Sequence, residues 1–216
     1  MKTTLIILVV GVTIFLVYLL AWRILSRVIS LPCPPGYIFL LESPLINRVA
    51  GPQTLIELAD IQPGMHILDA GCGPGRITIP VAAYLGDSGQ VTAFDMQPGM
   101  LAHLSKRVAE NNLTNVEIIQ GEFGEDLLGR YKYDRVFLVS VLGEIPDQQA
   151  ALEEIHQALV PGGILSVTEV LPDPHYQRRS AVANLAERTG FQASLVKRDW
   201  RSYTMNLQKP KKLTLN

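Results

Sequence analysis

The stretch LDAGCGPGR runs from Leu68 to Arg76, with glycine at positions 71, 73 and 75 directly behind an apolar run and one aspartate, Asp69. Glycine at alternate positions lets a ligand lie against backbone amides with no Cβ in the way. A dinucleotide loop requires G-x-G-x-x-G, whose third glycine brings helix and strand close around a pyrophosphate. Here that third position is Arg76, and the Gly-Lys-Ser/Thr of a Walker-type loop is absent as well. Asp69 would repel phosphate and attract a cation such as an ammonium group. A second carboxylate, Asp95, ends another apolar run twenty residues after Gly75. In nucleotide-binding sheets an acidic residue at that place accepts hydrogen bonds from ribose hydroxyls. A third run ends in Gly121–Phe123, which sets Glu122 and Phe123 against an adenine edge and face. Together these residues describe a pocket for an adenosine whose other end carries an amine.

Such a pocket needs parallel strands whose carboxyl ends converge. Strand patterns occur at HILDA (66–70), QVTAFD (90–95), VEIIQG (116–121), YDRVFLVS (133–140) and ILSVTEV (164–170). Helical patterns fit between them. Pro98 opens one that carries Leu101, Leu104 and Val108 on a single face. Asp147 is placed to cap a second, with Leu152, Ile155 and Leu159 on its stripe. Asp173 as cap, Pro174 at the first position and Gly190 as stop frame a third. Pro80 falls inside the helix after the glycine loop and is expected to distort it. The tail, FQASLVKRDWRS then YTMNLQK, leaves no room for a helix and predicts an antiparallel hairpin. Before the core, Leu55, Leu58 and Ala59 recur at helical spacing behind a Gly51–Pro52 break.

These motifs, in this order, resemble the class I S-adenosylmethionine-dependent methyltransferases over roughly Ile61–Pro210, on the small-molecule, quinone-methyltransferase-like branch. ILDAGCGPG is similar to that family's first motif, VTAFDMQP to its second and GEFGEDL to its adenine-side motif. YDRVFLVSVLGEIPD and ALVPGGILSVTE resemble the motifs of strands four and five. The resemblance implies a Rossmann-like α/β fold: a seven-stranded, mostly parallel sheet with a C-terminal antiparallel hairpin. It implies that Asp69 and the backbone of Gly71, Cys72, Gly73 and Gly75 face the methionine part of S-adenosylmethionine. Asp95 would hold the ribose, Met96 would pack on adenine, Glu122 and Phe123 would border the base, and Ser140 would lie near the amino-acid end. That branch often carries histidines where this chain has Gly143 and Glu144. Glu144 is therefore the candidate for acceptor binding or proton removal, and His175 or Tyr176 a further acceptor contact. Cys72 reads as a small loop filler and His156 as a surface residue.

Upstream, Thr3–Trp22 carries no charge. At about 1.5 Å per residue such a helix spans roughly the 30 Å of a hydrocarbon core. Tyr18 and Trp22 stand where amphipathic rings favour the interface, and Arg23 and Arg27 follow. A single-pass transmembrane anchor is expected, with a slight positive-inside bias toward a cytoplasmic catalytic domain. The predicted organisation is an anchor and juxtamembrane helix over 1–30, a proline-rich linker and acceptor-side helices over 31–60, and the methyltransferase domain over 61–216. Few residues remain after the fifth strand, so polar groups of the linker segment, Glu42, Asn47 and Arg48, are expected to line an acceptor pocket reached from the bilayer. The acceptor expected is small and lipophilic: a quinone, lipid amine, thiol or phenol. A protein methyltransferase acting on a membrane partner and a non-catalytic S-adenosylmethionine-binding module are the alternatives; an oxidoreductase is disfavoured by Arg76. A net charge of −1 excludes an electrostatic nucleic-acid binder, and the two cysteines, Cys33 and Cys72, give neither a disulfide framework nor a metal site. The basic tail KPKKL reads as a solvated terminus.

Overall fold

The computed structural model describes residues 6, 10–14, 17, 18, 50–171 and 173–211. Most of the expected anchor, Cys33, and Glu42, Asn47 and Arg48 lie outside them. Ile6, 10–14, Val17 and Tyr18 are helical. No helix among the described residues is long and apolar enough to cross a membrane.

Counting from Pro52, the elements are α1 (Pro52–Leu58), β1 (His66–Ala70), α2 (Thr78–Leu85), β2 (Gln90–Asp95), α3 (Pro98–Glu110), β3 (Val116–Gln120), β4 (Tyr133–Val139), α4 (Gln148–Ala158), β5 (Leu159–Val170), α5 (Arg179–Arg188), β6 (Gln192–Arg198) and β7 (Ser202–Gln208). They form one seven-stranded sheet in the order β3-β2-β1-β4-β5-β7-β6. Every pair from β3 to β5 is parallel, and β7 runs antiparallel to both β5 and β6. The order reverses between β1 and β4, the switch point where such sheets bind ligands.

Alternation along each strand sorts the core into two layers. Ile67, Val91 and Phe137 pack under α1 and α2, and Ala93 under α2 and α3. Leu68, Phe94, Val136 and Leu138 face the other way, into a cluster with Leu152 and Ile155 of α4 and Val182 and Leu185 of α5. Asp69, two residues from Ile67, thereby points to the α2 side.

Several local expectations are corrected by longer-range contacts. Pro80 is the third residue of α2, inside the first turn, where an amide hydrogen has no helical partner to lose, and the helix continues to Leu85. Leu159 is not on the stripe of α4; the helix ends at Ala158 and Leu159 begins β5. Asp173 does not cap α5, which begins at Arg179 without a side-chain cap. His156 is half-buried rather than on the surface, edge-on to Phe191 at 4.9 Å. Burial, then the charge of Lys209, holds its imidazole below the ordinary histidine range. Asp147 does cap α4, accepting the Ala150 amide at 3.0 Å.

Lys209 is not part of a solvated tail. It is buried, and its Nζ donates to the carbonyls of His156 (2.6 Å) and Leu159 (2.7 Å), closing the end of α4 that has no helical partners. Lys209→Met keeps the stem and strands both carbonyls. It is expected to cost about 2 kcal/mol or more, the usual penalty for losing hydrogen bonds to a charged donor, measured as a shift of the urea midpoint followed by circular dichroism.

Candidate active site

The glycine loop is held from below by the end of β2. The Phe94 carbonyl accepts the amides of Gly71 (2.7 Å) and Cys72 (3.1 Å). The Asp95 carboxylate accepts the Gly73 amide on Oδ2 and the Gln97 amide on Oδ1, each at 2.8 Å. Gly71, Gly73 and Gly75 all have positive φ, a conformation that L side chains adopt only with strain. A Cβ at Gly71 would overlap Val141 and one at Gly75 would overlap Leu104, so these two bring loop, β4 and α3 together. At Gly73 nothing lies within 4 Å of a Cβ position. The loop therefore has a bare backbone face that a ligand can approach.

Asp69 is buried and accepts the Thr78 hydroxyl on Oδ2 at 2.6 Å. Burial pushes its carboxyl up to about 6, against the lowering by Thr78 and by the charge of Arg76. Arg76 takes the place of a third glycine by reaching away, donating to the Ala50 carbonyl at 2.7 Å. Asp95 is also raised, by burial. Cys72 is buried among Ile79, Ala93, Leu101 and Leu104, and burial followed by the nearby carboxylates pushes its thiol far above the ordinary range. It is a loop filler, and its thiol stays protonated.

At the tips of β2 and β3, Met96 stands 45% exposed and Glu122 is exposed. Phe123 is half-buried, edge-on to Phe94 at 5.3 Å, and Glu125 fixes the Glu122 amide at 2.8 Å. The structure thus brings Asp95, Met96 and Phe123 to one sheet end beside the loop.

The other half of the site lies at the ends of β4 and β5. Ser140 holds positive φ, and its amide donates to the Thr168 carbonyl. Asp173 accepts the His175 amide on Oδ1 (2.7 Å), which turns the chain after β5. Glu144, in the short 3-10 turn Leu142–Glu144, meets His175 with Oε1 3.6 Å from Nδ1. Only glycine permits this approach: a Cβ at Gly143 would overlap the His175 carbonyl oxygen. The expected helix start at Asp173 is replaced by this turn because Gln177 is pinned from both sides. Its amide donates to Glu169 Oε2 and its carbonyl accepts the Tyr203 hydroxyl, each at 2.9 Å.

Glu169 escaped the sequence reading. It is 1% exposed, and its Oε1 has no hydrogen-bond partner among the described residues. Burial, with the charges of Asp173 and Glu144 adding to it, pushes its carboxyl up to about 8. One signal was present: a carboxylate in TEV, inside a strand buried on both faces, is out of place unless it has a task.

A family model described as a methyltransferase domain matches residues 61–209. The chain belongs to that family. This methyltransferase uses S-adenosylmethionine. It is 33% identical over 111 residues to the demethylmenaquinone methyltransferase of Listeria monocytogenes serotype 4a (strain HCC23), covering 51% of this chain and 47% of that protein. It is 28% identical over 120 residues to the nocamycin O-methyltransferase of Saccharothrix syringae, covering 56% and 43%. The methyltransferase thus spans about half the length of these curated relatives. Among solved structures, a S-adenosylmethionine-dependent methyltransferase from Aquifex aeolicus superposes with a TM-score of 0.76 at 21% identity, covering 82% of this chain and 100% of that one. That likeness shows the fold.

The neutral Glu169 has a measurable consequence. Its folded-state pKa of about 8 stands above the ordinary 4.5, so the folded methyltransferase holds a proton that the unfolded chain releases. Stability is therefore lost as pH rises from 4.5 toward 8 and the loss is complete above 8, on the order of a few kcal/mol in all. Glu169→Gln is expected to flatten this slope between pH 5 and 8 relative to the parent (roughly the window of the displaced proton), as read from unfolding midpoints across a pH series.

Proposed function

We propose that this methyltransferase acts on a small, lipophilic acceptor of the quinone or phenol class, with Glu144 and His175 handling the proton that the acceptor loses. The Glu144–His175 pair carries this reading. A carboxylate beside an imidazole Nδ1, both largely shielded from water, orients the ring and stabilises its charged form. The names of the relatives, one for demethylmenaquinone and one for an O-methylation, support the acceptor class.

S-adenosylmethionine, when bound, supplies a methyl group on a positively charged sulfur. The chain's residues hold, orient and shield. We assign Asp69 and the amides of Gly71, Cys72, Gly73 and Gly75 to the methionine end, with Ser140 beside it. The bare backbone face at Gly73 fits a bound group there. Asp95 is assigned to the ribose. Each of its oxygens accepts one backbone amide and keeps a second lone pair, so loop support and hydroxyl binding are compatible. Met96, exposed, and Phe123, held against Phe94, are assigned to the faces of the adenine, and Glu122 to its edge. With the cofactor held there, the methyl group would pass from the sulfur to the acceptor's nucleophilic atom, and the His175–Glu144 pair stands ready to take the acceptor's proton.

We further propose the division into an anchor (1–30), an acceptor-side segment (31–60) and the catalytic domain (61–216), with that domain facing the cytoplasm. Exposed, helical Ile6, Val10, Val12, Ile14 and Val17 support the anchor.

The deciding experiment incubates the protein and membrane extract with isotopically labelled S-adenosylmethionine, followed by mass spectrometry. Label in an extractable lipid or quinone is expected. Label in a polypeptide instead would establish the protein-methyltransferase alternative, and cofactor binding without turnover the non-catalytic one. Glu144→Gln and His175→Gln should each lower kcat about 10²-fold or more, as for loss of a positioned proton acceptor, with cofactor affinity unchanged. Asp69 adds a pH signature. Its carboxyl, raised to about 6, is ionised only above that pH, so affinity for the cationic cofactor should rise between pH 5 and 7 and level off above. Asp69→Asn should abolish the rise in a calorimetric titration.

A further inference from the structure

The hairpin β6–β7 bears a surface that the methyl-transfer reading does not use. β6 is the outer strand of the sheet and every residue in it is exposed. The turn after it is fixed by its own backbone. Asp199 donates its amide to the Ser202 carbonyl (2.8 Å) and accepts the Trp200 amide on Oδ1 (2.6 Å). The turn presents Trp200, 78% exposed, with the Arg201 guanidinium 4.5 Å from its ring. Leu195 and Val196 are also exposed. Lys197, Arg198 and Arg201 belong to the same hairpin, and exposed Arg178 and Arg179 at the start of α5 follow Gln177, whose carbonyl accepts the hydroxyl of Tyr203 on β7. None of these cations forms an ion pair with a carboxylate among the described residues. Within 192–203 Lys197, Arg198 and Arg201 stand against one carboxylate, Asp199, so the hairpin is locally positive while the chain as a whole has a net charge of −1.

The position matters as much as the composition. β7 runs antiparallel to β5, pairing Glu169 with Tyr203 and Val170 with Ser202. The Leu171 amide donates to the Arg201 carbonyl at 2.6 Å. The turn therefore rises from the same rim of the sheet as Glu169 and the Glu144–His175 pair, with exposed Leu171 between.

We propose that this hairpin turn docks on an anionic lipid surface, with Trp200 at the headgroup level and Arg178, Arg179, Lys197, Arg198 and Arg201 against the phosphates. An exposed indole flanked by guanidinium groups suits that boundary, where its apolar body and polar edge are both satisfied and cations gain from anionic headgroups. A protein partner is the poorer fit. Protein interfaces place their apolar core centrally and exclude charge from it, whereas here an arginine covers the tryptophan face. Strand addition at β6 is opposed by Lys197 and Arg198 on that edge. Docking would turn the mouth of the site toward the bilayer. It rests on the lipophilic-acceptor reading for its purpose, but not for its test.

The test uses the full chain in lipid nanodiscs, with Trp22→Phe leaving Trp200 as the one indole. In phosphatidylglycerol discs, Trp200 emission should shift to the blue, and quenching by aqueous iodide should fall several-fold. Quenching by brominated lipid should appear. Phosphatidylcholine discs or high salt should reverse all three effects. Neutralising each of Arg198 and Arg201 should lower the docked-to-undocked ratio about five-fold, the equivalent of roughly 1 kcal/mol per charge. Iodide access unchanged in anionic discs, equal protection in zwitterionic discs, or protection only in native membranes that contain proteins would each overturn the proposal. S-adenosylmethionine affinity, measured in the same discs, reports that the domain is folded. Intact cofactor binding with an exposed Trp200 therefore sinks the docking surface alone, and missing acceptor methylation with a docked Trp200 sinks the acceptor reading alone.

Discussion

The Asp95 carboxylate closes two loops at once, and the catalytic end of the sheet depends on it. One oxygen holds the Gly73 amide and the other the Gln97 amide. A parallel strand ends with its amides and carbonyls pointing past the sheet, and each must find a partner or water. At the tip of β2 the Phe94 carbonyl and the Asp95 side chain take up that role together. Gly71 and Gly75 then have no Cβ to keep Val141 and Leu104 away, so the ends of β1, β2 and β4 and the flank of α3 meet around one loop. Burial raises the Asp95 carboxyl, and the amides it accepts pull it back, so it remains a useful acceptor where water is scarce.

The ends of β4 and β5 follow the opposite electrostatic logic. Glu144, Glu169 and Asp173 lie together there with His175, and burial, with the neighbouring carboxylates adding to it, pushes the Glu169 carboxyl up to about 8. Glu169, the deepest, holds its proton at pH 7, and Glu144 faces the imidazole. The network is bound to β7 through Tyr203 and Gln177, so the terminal hairpin supports the site as well as closing the sheet. A buried carboxyl kept at a cost in stability is common where a site must hold or move a proton.

Much of this was legible in the residues. The five parallel strands and the hairpin were readable because strands buried on both faces are short apolar runs bounded by turn residues, and here each is followed by a charged or glycine-rich stop. Asp147 was readable as a cap because its partner, the Ala150 amide, is three residues away. Asp69, Asp95 and Glu122 could be placed at strand ends because parallel topology puts those ends side by side. The misreadings share one cause. Asp173 looked like a helix cap, but Glu169 and Tyr203, far off in sequence or on another strand, pin Gln177 and unwind that start. Lys209 looked like a solvated tail, but α4 ends next to it, and the half-buried His156 belongs to the same junction.

What the sequence alone determined is therefore local and periodic: the strands, the spacing of glycines, the order of motifs and through them the methyltransferase family. Those features depend on neighbours a few residues apart, or on the two-residue and near-four-residue rhythms of strand and helix. Tertiary structure decided which polar groups lose water together. The neutrality of Glu169 and the meeting of Glu144 with His175 across Gly143 each join segments separated along the chain. Desolvation and charge proximity are properties of a place in space, and no single stretch of sequence contains that place.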